Sequence, residues 1–131
     1  MTMVADASVV VAALVDSEAE GLWAERVLGS DHLAAPHLMP AEVANLLRRA
    51  VLAGKISEDT ASLAHADLLA LRVELFPYEP FAERVWDLRA TVTAYDAWYV
   101  ALAETLDARL ATLDARLSRA SGLRCRFAIP G

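Results

Sequence analysis

Five short apolar runs, at residues 3–5, 32–35, 73–77, 109–113 and 123–129, are separated by stretches whose apolar residues recur at helical spacing. Strands alternating with helices restrict a chain to an α/β arrangement, and strands this short and apolar belong in a sheet covered on both faces. Right-handed crossovers then put helices on both sides of a mainly parallel sheet, a Rossmann-like three-layer sandwich. The helical stretches are residues 9–15, 18–28, 40–53, 57–71, 80–88, 92–104 and 115–120. Gly29 and Gly54 stand where two of them stop, and Pro40 and Pro80 stand in first turns, as the asymmetry of helix ends favours. In residues 18–28 the periodic set is Leu22, Trp23, Arg26 and Val27. With no repeat, low-complexity tract or linker, the 131 residues are expected to form a single domain with a substantial core.

Composition narrows the setting. The chain is 56% hydrophobic, yet charged residues interrupt every long apolar run, so no membrane-spanning segment is expected. Residues 1–6 lack the basic start and long apolar run of a secretory leader. One cysteine, Cys125, rules out an internal disulfide, fits a reducing cytoplasm and is expected as a buried strand residue. A net charge of −6 argues against simple electrostatic attraction to nucleic acid. The charge is uneven, however: residues 107–131 hold five arginines against two acids, while the remainder carries seven basic and sixteen acidic side chains. An acidic body does not exclude a nuclease, because a metal site concentrates carboxylates that bound cations offset.

Four acids stand where chemistry is expected. Asp6 and Asp114 each follow a strand directly, and in a parallel sheet all such junctions lie at one edge, where ligands bind at the reversal of strand order. Glu42 and Asp96 fall in the first turns of helices, and helix starts crowd that same edge. Asp96 also shares a helix face with Tyr99, Val100 and Ala103, which places a charge at the head of an apolar stripe. Each acid has an alternative explanation as a helix cap or first-turn charge; Thr93 and Asp96 in particular have capping-box spacing. Gathered together, the four would repel, and a divalent ion would relieve the conflict. Oxygen donors with open water positions suit Mg²⁺ or Mn²⁺. His32, His37 and His65 are scattered and offer no competing cluster. Ser8 and Thr112 lie close in sequence to two of the acids and are placed to orient them by hydrogen bonds.

These blocks resemble PIN-domain ribonucleases, and most of all the VapC toxins of type II toxin–antitoxin pairs. The resemblance spans nearly the whole chain and rests on Val4-Ala5-Asp6-Ala7-Ser8, Pro40-Ala41-Glu42-Val43, Tyr95-Asp96-Ala97-Trp98-Tyr99-Val100-Ala101-Leu102-Ala103 and Thr112-Leu113-Asp114. Ala7 departs from the Thr often found after the first acid. The resemblance implies a metal-dependent endoribonuclease, working as a homodimer and silenced by a VapB-type antitoxin whose C-terminal segment fills the toxin's groove. It implies Asp6, Asp96 and Asp114 as Mg²⁺ or Mn²⁺ ligands, with Glu42 either binding metal or orienting the attacking water. The alternative is a non-catalytic module of the same fold that binds a partner through its acidic pocket. A receiver-type phosphoacceptor fits poorly, since Asp6 has no acidic neighbour and the only lysine, Lys55, lies at a helix turn. Arg116 and Arg119 follow Asp114 and are read as a solvated face or as phosphate contacts. Trp23, Trp86 and Trp98 are expected in the core or, where exposed, at an interface.

Overall fold

The structure is a computed structural model that describes residues 1–29 and 32–131. Its strands are β1 (Thr2–Ala5), β2 (His32–Pro36), β3 (Glu74–Phe76), β4 (Arg109–Ala111) and β5 (Phe127–Ala128). The helices are α1 (Ala7–Val15), α2 (Ala19–Leu28), α3 (Met39–Leu52), α4 (Glu58–Ala70), α5 (Ala82–Asp87), α6 (Ala94–Leu106) and α7 (Ala115–Ser118), with a 3₁₀ turn at Glu79–Phe81. All strand pairings are parallel, in the order β3-β2-β1-β4-β5. The chain moves outward from β1 through β2 to β3, then crosses back to lay β4 on the other side of β1. The order therefore reverses between β1 and β4, and that crevice is where an open parallel sheet offers a site.

Alternation along the strands makes two cores. Met3, Leu33 and Ala111 pack with Val9, Ala12, Ala24 and Val27 of α1 and α2. Val4, Ala34 and Leu110 pack with Val43 and Leu47 of α3 and Val100 and Leu102 of α6. Helix α6 carries the most buried face of any helix, from Ala97 through Ala103, which accounts for the apolar run behind Asp96. Its start is fixed by Thr93, whose hydroxyl accepts from the Asp96 N–H at 3.2 Å. It ends at Asp107 in a left-handed conformation (φ 49°), with the Ala108 N–H returning to the Ala103 carbonyl.

Several expectations are corrected. The fourth and fifth strands are shorter than their apolar runs. Strand β4 stops at Ala111: the Thr112 N–H still reaches the Ala128 carbonyl, but side chains capture the donors after it, Ser8 Oγ taking the Leu113 N–H and Thr112 Oγ1 that of Asp114. Before β5, residues 122–125 are held by α5 and α6 instead of a ladder. Arg84 forks onto Glu104 (2.8 and 3.1 Å) and donates to the Gly122 carbonyl, while Glu104 accepts from the Arg124 N–H. Cys125 is consequently a half-buried residue in that strap and not part of a strand. In α2 the buried residues are Gly21, Ala24 and Val27, whereas Leu22 is exposed.

Gly21 is needed for a close approach, not for its dihedral freedom. A Cβ there would stand 1.8 Å from the Asp16 carbonyl oxygen, where α1 turns into α2. Gly21→Ala is expected to destabilise the chain by about 2 kcal/mol or more, read as a fall in the urea midpoint, because the obstacle is backbone that cannot rotate away.

Candidate metal centre

Asp6 ends β1 and caps α1. Its Oδ1 accepts from the Val9 N–H at 3.2 Å and, over a short contact, from the Ser8 hydroxyl. Thr112, fully buried at the end of β4, also supports this carboxylate while accepting the Asp114 N–H. Burial nevertheless wins over these donors and holds the Asp6 carboxyl above its ordinary pKa.

Glu42 projects from the first turn of α3, and its Oε1 accepts from the Tyr99 hydroxyl at 2.7 Å. Burial raises its pKa, with Asp6 and Asp96 adding like-charge repulsion against the lowering effect of Tyr99. Asp96 is the third residue of α6. Burial raises its pKa first, then the charges of Asp6 and Asp114, with Thr93 opposing. The carboxylate thus faces other acids, so the capping role of Thr93 and a site role for Asp96 coexist. Asp114 is exposed and caps α7, its Oδ1 accepting from the Arg116 and Leu117 N–H groups at 3.0 and 3.3 Å.

Four elements therefore bring these acids to the carboxyl edge of β1 and β4, close enough for Asp6 and Asp96 to act on Glu42 and for Asp6 and Asp114 to act on Asp96. What offsets the repulsion is a set of neutral donors from Ser8, Thr112, Val9, Tyr99 and Thr93. Among the described residues no three His, Cys, Asp or Glu side chains close into a ready-made cage for an ion. Mg²⁺ characteristically keeps several waters and takes only one or two protein carboxylates directly, so an open, all-oxygen donor set with unrelieved negative charge fits it.

Other candidates fall elsewhere. Arg116 and Arg119 are exposed on and after α7. Trp98 packs edge-on against Tyr78 (5.3 Å between centroids), its indole N–H buried without a hydrogen-bond partner among the described residues. Trp23 is half-buried and lines a groove of about 490 Å³ with Arg26, Leu113 and Ala115. Trp86 is not in the core: it is 65% exposed, with the Arg89 guanidinium stacked 4.7 Å from its ring centroid. Tyr99 is the site residue that sequence reasoning placed only on an apolar stripe. Its spacing of three from Asp96 was the available signal, but its partner Glu42 lies 57 residues away.

Acids at the switch point of a parallel sheet stand where folds of this class bind their ligands, and residues 3–123 match the family model of the PIN domain. Ribonuclease VapC1 of Mycobacterium tuberculosis is 45% identical over 125 residues, covering 95% of this chain and 94% of that protein. Among solved structures, M. tuberculosis VapC20, described as a sarcin-ricin loop cleaving toxin, superposes with a TM-score of 0.69 at 18% identity, covering 93% of this chain and 96% of that one. VapBC-5 from M. tuberculosis, a member of the VapBC family of toxin–antitoxin systems, superposes with a TM-score of 0.61 at 22% identity over 98% of this chain and 96% of that one. The chain belongs to the PIN-domain family, in its VapC ribonuclease branch.

The raised carboxyls have a consequence for stability. A group whose folded pKa lies above its unfolded value stabilises fully below the unfolded pKa and loses that contribution as pH rises through the folded one. Asp6, Glu42 and Asp96 are all raised from 3.8, 4.5 and 3.8 respectively. Glu104 acts oppositely: burial raises it but Arg84 wins and lowers it, so its loss falls below 4.5. Melting temperature without divalent ions is therefore expected to be higher near about pH 5 than at about pH 8. Added Mn²⁺ should raise it at the higher pH.

Proposed function

We propose that this chain is a Mg²⁺- or Mn²⁺-dependent endoribonuclease toxin, silenced by a VapB-type antitoxin. The observation that carries the reading is the meeting of Asp6, Glu42 and Asp96, from three separate elements, as mutually repelling carboxylates at the switch point of the sheet. The name of the 45% identical relative, a ribonuclease, supports RNA as the substrate. The toxin–antitoxin assembly among the structural neighbours supports an antitoxin as the partner.

Asp6, Asp96 and Asp114 would hold the ion, one or two of them directly and the rest through its waters. When bound, it supplies charge neutralisation, polarisation of the scissile phosphate and activation of water. The chain's own residues do the rest. Ser8, Thr112 and the Val9 N–H keep the Asp6 carboxylate turned toward the edge. Glu42, whose proton affinity is raised by burial and by Asp6 and Asp96, is suited to orient the attacking water or take its proton. Arg116 and Arg119 lie exposed beside Asp114, where they can meet phosphates of the same strand. Exposed Leu52, Leu63, Leu69 and Trp86 offer apolar surface for the antitoxin and for a second copy. Among the described residues no helix is long and apolar enough to cross a membrane.

The purified chain, freed of any partner, is expected to cut RNA internally with Mg²⁺ or Mn²⁺ and to stop on addition of EDTA. Asp96→Asn keeps the backbone bond to Thr93 and is expected to lower cleavage by at least about 100-fold, beyond what loss of an outer hydrogen-bond partner produces. Its melting temperature without metal should hold or rise, because a repelling charge is gone. No cleavage of any RNA tried would instead favour a non-catalytic acidic pocket, and full activity of this variant would return Asp96 to a helix-capping role.

A further inference from the structure

Tyr99 stands three residues after Asp96 on α6 and is 3% exposed. Its hydroxyl donates to Glu42 Oε1 at 2.7 Å, and the backbone N–H of Ala7 is directed toward the same oxygen. A phenol has a single proton. With an N–H already directed at the oxygen, that proton goes to the carboxylate, so the direction of the bond is fixed and Glu42 must accept. Ala7 is the residue after Asp6. This hydroxyl therefore stands where the start of α1, directly after Asp6, meets the first turn of α3 with Glu42 and the first half of α6 with Asp96.

A phenylalanine would fill the same volume. The buried hydroxyl adds a desolvation cost that its bond to Glu42 must recover, so the hydroxyl is present for the sake of that partner. Glu42 is a flexible side chain in a first turn, with several rotamers open to it if left to itself. Fixing one of its oxygens removes most of them.

We propose that Tyr99 is a positioning residue of this centre: its hydroxyl, oriented by the Ala7 N–H, holds Glu42 in the one conformation that faces Asp6 and Asp96. The assignment rests on the ribonuclease reading above. Tyr99 acts through Glu42, with no contact to RNA or ion required of it.

The test compares the native chain with Tyr99→Phe, Glu42→Gln and the double variant. Three readouts are taken: Mn²⁺ affinity by calorimetry without RNA, kcat and KM on one RNA, and melting temperature without metal. Tyr99→Phe is expected to lose about tenfold in both Mn²⁺ affinity and kcat, the scale typical of groups that orient metal-site carboxylates, with KM unchanged. Its melting temperature should fall by no more than about 5 °C. In the Glu42→Gln background the same change should have no further effect on either affinity or kcat, as expected of residues acting as a unit. Native-like affinity and kcat in Tyr99→Phe, whatever its melting temperature, would overturn the assignment. So would losses that add in full to those of Glu42→Gln. A native chain that binds no Mn²⁺ and cuts no RNA would remove the ribonuclease reading and this role with it, whereas native binding matched by Tyr99→Phe would remove only the role of Tyr99.

Discussion

A half-buried carboxylate at the end of the central strand organises this molecule. Asp6 would be expensive there unless donors met it, and the donors come from three places at once: the first turn of α1 through Val9, the Ser8 hydroxyl, and Thr112 at the end of β4. Ser8 also accepts the Leu113 N–H, and Thr112 also accepts that of Asp114. The same few hydroxyls thus satisfy the acid, terminate β4 and aim Asp114. Structure and site are one network at this edge, so the junction of β1 and β4 cannot be altered without moving the chemistry.

Much of the architecture was legible because burial leaves marks at fixed spacing. Short apolar runs with helical stretches between them were enough to expect a parallel three-layer sandwich, and the strand-then-acid pattern at Asp6 and Asp114 was enough to expect the edge. The strand order, with β4 crossing back beside β1, depends on pairings between distant segments and has no local signal. The same holds for Tyr99. Its position on the Asp96 face could be read, but the carboxylate it serves comes from α3.

The departures have equally physical causes. The run at 123–129 looked like a full strand because its residues suit one, yet Arg84 and Glu104 hold the chain at residues 122–125 by side-chain forks, and only Phe127 and Ala128 pair. Leu22 matched a helical period but lies on the outer side of α2, because Gly21 is the residue that lets α1 and α2 meet. Trp86, beside an apolar face, was expected in the core or, if exposed, at an interface. It lies flat against Arg89, where the indole face is covered by a cation and the ring edge meets solvent.

The sheet's two margins are short strands, three residues in β3 and two in β5. Such margins present few unpaired backbone groups, and an added chain gains little by lining up along them. Growth by strand addition is thereby discouraged on both sides. Association with other molecules is left to the helical coat and to the acidic rim, so surface side chains, and not the main chain, choose the company this protein keeps.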